Sequence, residues 1–326
     1  MNNILISINC ITYNHEKYIA DAIESFLMQK TFFKYEILIH DDASTDKTPE
    51  IIKSYEKKYP DIIKPIYQTE NQHSKGINVT FFNLKRALGK YIAMCEGDDY
   101  WTNPSKLQKQ VEILETNTNI VATFHKVEEV TPDKKKKGTY VEVPYSRDNN
   151  EYDLRDIIRF DGGKIHVSSL VYRKESFTNA NVPKFFHDCK VGDLPMMLIF
   201  ATKGNFLYID DIMSCTRRGV TNGATQRLFK NAKSFIITNN SIIDTYNEFN
   251  KFTQNVYSKD IEEVLKHREF LNLKKKGDYE KIKENDYFKK GKIIEKLKLL
   301  IYCKSPTLYV KLRAIKKQLY KLNKSK

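Results

Sequence analysis

Over the first 125 residues, short β-branched apolar runs alternate with longer stretches in which apolar side chains recur at helical spacing. Residues 4–9, 35–40, 63–67, 91–95 and 120–125 are short runs rich in apolar residues that read as strands, the pattern expected of a parallel sheet covered on both faces. Between them, 16–29, 49–59, 77–88 and 104–117 carry the helical period. The second of these helices opens with Thr48 as cap and Pro49 at the first helical position, and Gly89 fits the stop of the third. Strand and helix in alternation predict a Rossmann-like α/β fold, a mostly parallel sheet flanked by helices.

Past His125 the alternation weakens. Residues 131–138, with four lysines from Lys134 to Lys137, read as an exposed loop, and 166–172 as a strand. Gly192-Asp193 precedes a helix over 194–203 that stops at Gly204, and 206–209 with 212–215 reads as a strand pair. Beyond about Thr225 the pattern is helical only, over 228–252, 260–273, 290–301 and 308–322. The expected organisation is an α/β domain over 1–224, with halves 1–125 and 126–224, followed by a helical, Lys-rich extension over 225–326.

Composition narrows the class. Of 326 residues 40% are hydrophobic and 29% charged, as in ordinary globular chains. No apolar run reaches the ~18–20 residues that crossing a bilayer requires. The first residues show no basic leader, so the expected location is the cytoplasm. The five cysteines are dispersed, without a CxxC pair, which excludes a disulfide framework and a structural zinc site.

The net charge of +14 is concentrated at one end. Residues 287–326 hold thirteen Lys or Arg against one acid, Glu295, a net +12. A nucleic-acid-binding fold spreads such charge over its body, so no nucleic-acid partner is expected. Leu308, Leu312, Ile315, Leu319 and Leu322 share one helical face among lysines, and Ile293, Leu297 and Leu300 form a similar stripe. Two readings follow: docking on an anionic membrane surface, at about 1 kcal/mol per basic residue, or apolar stripes packed on the enzyme with the lysines solvated.

Chemistry concentrates after the strands. In an open parallel sheet ligands bind beyond the carboxyl ends of the strands. Three polar turns lie there: Thr12-Tyr13-Asn14, Asp41-Asp42-Ala43-Ser44, and Glu96-Gly97-Asp98-Asp99-Tyr100-Trp101. Acids adjacent in one turn suit Mg²⁺ or Mn²⁺, which take one or two carboxylates and complete their shell with phosphate oxygens and water. An isolated Asp-Asp pair reads more readily as a helix cap. It is the grouping of three such turns on one edge that points to a ligand site.

In order and spacing these turns resemble the nucleotide-binding half of family-two glycosyltransferases, over about residues 4–124 and more loosely from Asp193 to Gly223. The resemblance implies a GT-A fold and transfer of a sugar from a nucleoside-diphosphate donor, UDP foremost, to a saccharide acceptor. It implies inversion at the sugar and Mn²⁺ or Mg²⁺ as cofactor. It further implies that Thr12, Tyr13 and Asn14 lie in a nucleotide-contacting loop, that Asp42 meets the base, Asp98 the ribose, and Asp99 the metal. Asp193 falls where the family places its catalytic base. Many relatives extend lipid-linked saccharides at the inner face of the plasma membrane, in capsule, lipopolysaccharide or other surface-polysaccharide synthesis. The chain departs from the common pattern at Cys10-Ile11, where proline is frequent, and at Ala43, where glycine is. The Gln-x-x-Arg-Trp signature of processive synthases is missing, which favours single additions.

Several residues keep two readings. Asp193 serves as base or caps the helix after it, with Asp188 its nearest competitor as base. Trp101 is a platform for a sugar or a core anchor. Arg217 and Arg218 meet a diphosphate or acidic acceptor, or belong to a solvated loop. His166 and His187 contact the acceptor or a metal, or merely pack. The rival classes are a nucleotidyltransferase, whose Gly-rich Lys-containing loop is not found near the N-terminus, and a non-catalytic membrane or nucleic-acid adaptor, which leaves the three turns without a role.

Overall fold

The computed structural model describes residues 4–139, 143, 145–147, 149–161, 165–177, 182–220, 223, 228–290 and 296. The chain divides into two compact units, Met1–Gln226 and Arg227–Lys326. In chain order the first unit comprises β1 (Ile4–Thr12), α1 (Ile19–Leu27), β2 (Lys34–Asp41), α2 (Thr48–Lys58), β3 (Ile63–Tyr67), α3 (Thr80–Arg86), β4 (Tyr91–Glu96), β5 (Tyr100–Trp101), α4 (Lys106–Thr116) and β6 (Ile120–Val130). It continues with β7 (Lys136–Thr139), β8 (Glu151–Tyr152), α5 (Leu154–Phe160), β9 (Val171–Arg173), α6 (Lys184–Asp188), α7 (Asp193–Ala201) and β10 (Asn205–Arg217).

One sheet runs β3-β2-β1-β4-β9-β6-β10-β5, with β7 added to β6 and β8 to β10. The strands β1 to β4 are parallel, as are β6 and β10, while β9 lies antiparallel between β4 and β6. The core beneath it is built from Ile6, Ile8 and Cys10 of β1, Ile37 and Ile39 of β2, and the inner face of α1. That face, Ile19, Ala22, Ile23 and Phe26, follows the i, i+3, i+4, i+7 spacing of an amphipathic helix and is fully buried. Phe26 meets the edge of Trp101 with ring centroids 4.8 Å apart.

Several boundaries differ from expectation for local reasons. The helix expected over 77–88 is shortened to α3, because Gly76 turns left-handed (φ 79°) and the Asn78 side chain accepts the Thr80 N–H at 3.1 Å. Thr48 is the first residue of α2 but not its cap: Asp46 accepts its N–H at 2.9 Å. Gly89 serves close approach, since a Cβ there would stand 2.5 Å from the Ser7 nitrogen. The strand pair expected at 206–215 is the single strand β10, with a register shift between Ile209 and Ile212. The acids at the shift pair outward, Asp210 with Lys126 at 2.5 Å and Asp211 with Lys109 at 2.6 Å. Residues 166–172 form a 3₁₀ turn, Val167–Ser169, before β9. Part of the lysine-rich loop is strand β7, hydrogen-bonded back onto β6.

The second unit contains α8 (Ala232–Phe252) and α9 (Ser258–Lys276), then the short helices α10 (Tyr279–Glu284) and α11 (Asp286–Lys290). Asn231 and Ser234 form a reciprocal capping box at the start of α8. Asn239 of α8 donates to the Arg268 carbonyl of α9 at 2.8 Å. The expected helices over 290–301 and 308–322, and with them the basic stripe, lie outside the described residues apart from Lys290 and Lys296. Among the described residues no helix is long and apolar enough to cross a membrane.

Candidate active site

Register alone assembles the edge. Thr12 lies beside Asp41 in the β1–β2 pairing, and Ile11 beside Glu96 in the β1–β4 pairing, so the three polar turns leave the sheet side by side. They are laced together by hydrogen bonds. The Asn14 N–H donates to Ser44 Oγ at 2.8 Å, and Asn14 Oδ1 accepts the Thr45 N–H at 2.8 Å. The His15 N–H donates to Thr48 Oγ1 at 2.8 Å, and Asp46 accepts the Glu16 N–H at 3.0 Å. Thr12 is buried by this packing, whereas Tyr13 and Asn14 stay exposed.

The acidic turn sits directly against the first loop. A Cβ on Gly97 would come within 2.6 Å of Thr12 Oγ1, so only glycine allows the turn to lie there. The two acids that follow face different surroundings. Asp98 retains some exposure, with His15 Nε2 at 3.9 Å from its carboxylate. Asp99 is buried; its Oδ1 accepts the Arg217 N–H at 3.0 Å, and His166 Nδ1 is 3.7 Å from Oδ2. Burial, followed by the negative charges of Asp98 and Glu96, raises the Asp99 carboxyl well above the usual carboxylate range.

The structure departs from both readings of Arg217 and selects one of the two for Trp101. The Arg217 guanidinium has no exposed surface: it donates to the Asp98 carbonyl at 2.6 Å, pairs with Asp21 of α1, and lies between the rings of Tyr18 and Tyr100 at 4.9 and 4.7 Å. It braces the turn instead of reaching toward a diphosphate. Trp101 is a core anchor and not a sugar platform, being 2% exposed with its indole N–H donated to the Ser168 carbonyl at 3.0 Å. Arg218 is paired with Glu129 at 2.8 Å. His166 accepts the Ser168 N–H on Nδ1 at 3.3 Å, and burial, with Arg218 adding to it, pushes its imidazolium down to about 3, so the ring is neutral. Asp21, Tyr18, His15 and Ser168 were not singled out from the sequence, because their roles arise from long-range packing that spacing does not encode.

Asp42 is 2% exposed and holds a neighbouring loop. Its oxygens accept the N–H groups of Gln72 and His73 at 2.8 and 3.1 Å, and His40 Nε2 is 3.3 Å away. Asp193 begins α7 and is half-buried. Loss of surrounding water pushes its carboxyl up to about 6, against the opposing pull of the N–H groups of Asp193 and Leu194. His187 is exposed on α6, 6.3 Å from the Phe81 ring.

Among the described residues no three His, Cys, Asp or Glu side chains converge as a ready-made metal cage. The Asp98–Asp99 pair nonetheless fits a divalent cation that takes one or two carboxylates and completes its shell with phosphate and water. A positive ion there would offset the mutual repulsion that raises Asp99.

A mostly parallel α/β sheet with the polar turns of β1, β2 and β4 on one edge is the GT-A architecture. The family model for glycosyl transferase family 2 matches residues 7–177, and the chain belongs to that family. It is 39% identical over 171 residues to an uncharacterised protein of Mycobacterium tuberculosis, covering 52% of this chain and 47% of the relative. It is 37% identical over 113 residues to the UDP-Glc:alpha-D-GlcNAc-diphosphoundecaprenol beta-1,3-glucosyltransferase WfaP of Escherichia coli, covering 34% of this chain and 42% of that one. The chain thus spans about half the length of these curated relatives. Its fold matches S. aureus TarS 1-349 solved in complex with UDP-GlcNAc, with a TM-score of 0.56 and 18% identity over 92% of this chain and 79% of that one.

Proposed function

We propose that the chain moves a sugar from a UDP-sugar to a saccharide acceptor with inversion, one sugar per encounter, with Mn²⁺ or Mg²⁺ as cofactor, in the synthesis of a surface polysaccharide. The observation that carries this reading is the Asp98–Asp99 turn locked against Thr12 by Gly97, which sets two carboxylates beside an exposed Tyr13-Asn14 loop. The UDP assignment leans on the printed names of TarS and WfaP.

In this reading Tyr13 and Asn14 contact the nucleotide and Asp98 the ribose. Asp42 organises the base side through the Gln72 and His73 N–H groups it holds. Asp99 would hold the cation, whose charge would favour departure of the diphosphate. Asp193 takes the proton of the acceptor hydroxyl as that oxygen bonds to the sugar carbon and the bond to the diphosphate breaks on the opposite face. A carboxyl at about 6 is ionised at neutral pH yet basic enough to accept a proton. The lysine-rich tail, by its sequence, retains the enzyme at an anionic membrane face where a lipid-linked acceptor resides.

The test is release of nucleoside diphosphate from a panel of donor sugars, with the product anomer read by NMR. UDP release accompanied by an inverted linkage is expected. Pyrophosphate release would instead indicate a nucleotidyltransferase, and no release from any donor would indicate an adaptor.

A further inference from the structure

A cavity of about 310 Å³ opens beside α3, lined by Ile77, Asn78, Phe81, Phe82, Lys85 and His187 together with Gly76. Its position relates it to both halves of the site. Phe82 packs on His40 at 4.9 Å, and His40 lies against Asp42. On the other side, the Asn78 Oδ1 accepts the Thr80 N–H, and a Cβ on Gly192 would meet Asn78 Nδ2 at 3.7 Å. The cavity therefore adjoins the end of β2 on one flank and the start of α7, where Asp193 stands, on the other.

The lining has a definite chemistry. Phe81 is fixed, stacked on Phe177 at 5.3 Å and edge-on to Phe186 at 5.6 Å, while Ile77 is 43% exposed. Lys85 and His187 are exposed, and Lys85 makes no ion pair among the described residues. Among the lining residues there is no acid. An apolar floor with an ammonium and an imidazole beside it matches a sugar ring that stacks by one face and carries a negative group. The volume lies at the lower end of small-molecule sites, room for about one sugar with its charged substituent.

We propose that this cavity is the acceptor subsite and that the acceptor sugar is anionic, its phosphate or carboxylate held by Lys85 and His187. The inference rests on the glycosyl-transfer reading and names the acceptor class for it.

The test uses the full chain with UDP and Mn²⁺ present, and three probes followed by saturation-transfer NMR: methyl glucoside, methyl glucuronide and glucose 1-phosphate. At least one anionic probe is expected to bind about tenfold more tightly than the neutral one, and the better of the two identifies phosphate or carboxylate as the group recognised. Lys85→Ala and His187→Ala, both at exposed positions, are expected to weaken the anionic probe at least fivefold and to leave UDP binding and the neutral probe unchanged. Equal binding of all three probes, or an anionic preference that survives the double variant, overturns the inference. Failure of the wild-type chain to bind UDP at all would instead sink the glycosyl-transfer reading beneath it.

Discussion

Arg217 donates its backbone N–H to Asp99 Oδ1 at 3.0 Å, so the last residue of β10 fixes one oxygen of the acid assigned to the metal. The same residue's guanidinium ties the Asp98 carbonyl to Asp21 of α1 between two tyrosine rings. One arginine thereby joins α1, the acidic turn and β10. A lysine keeps the charge but cannot supply the planar fork that bridges two acceptors and stacks between rings. Arg217→Lys is expected to lower stability by about 1.5–3 kcal/mol, the scale of a lost charged hydrogen bond, in urea melts. It should also raise the Mn²⁺ concentration needed for half-maximal transfer.

Ala43 occupies left-handed backbone at φ 61°, which costs a residue with a Cβ roughly 1–2 kcal/mol. Glycine, which the family resemblance leads one to expect at this place, would escape that cost. Ala43→Gly is expected to leave activity intact and raise the unfolding midpoint, with the gain reduced by the extra freedom of glycine in the unfolded chain. Ala43→Val should lower the midpoint.

The pH dependence of transfer follows from Asp193. As a base it must be ionised, and its carboxyl sits at about 6, above the usual carboxylate range. The rate constant kcat/KM is therefore expected to fall about tenfold per pH unit below pH 6 and to level off above it. Asp193→Asn should reduce kcat by about 10²–10⁴ and abolish that limb while UDP binding persists. An acid limb that survives in Asp193→Asn removes Asp193 from this role, with Asp188 the next acid to test.

Lys106 offers a stability test away from the chemistry. It has no exposed surface, donates to Gln110 Oε1 at 2.7 Å, and lies over the Trp101 ring at 4.2 Å. Burial pushes its ammonium down to about 7. Between pH 7 and the ordinary lysine range the unfolded chain binds this proton and the folded chain does not, so stability from this group rises with pH by about 1.4 kcal/mol per unit. Below pH 7 both states are protonated and the contribution is flat. Urea melts across pH 7–10 should show the slope in the wild type and not in Lys106→Met.

The polar edge of the sheet was legible in the sequence because its strands are rich in apolar residues and its turns carry polar residues that a simple connection does not need. Thr12, Asp42, Asp98 and Asp99 emerged from that excess. What stayed hidden depends on partners far along the chain. Arg217 read as a diphosphate or acceptor contact or as part of a solvated loop, because nothing local reveals Asp21 and the two tyrosines around it. Trp101 could not be assigned until Phe26 and Ser168 were seen to enclose it. The 206–215 segment read as a strand pair interrupted at Asp210-Asp211, whereas Lys126 and Lys109 let these acids face outward from a continuous strand. The short elements α6, β5 and β8 are too brief to carry a period.

The central claim is that the Asp98–Asp99 turn and the 12–14 loop form a metal-assisted nucleoside-diphosphate site, and calorimetric titration of UDP tests it most directly. Wild type is expected to bind UDP at least tenfold more tightly with Mn²⁺ than with chelator. Asp99→Asn should lose that metal dependence, and Asp193→Asn should keep it. UDP affinity that is the same with Mn²⁺, with chelator and in Asp99→Asn would contradict the account.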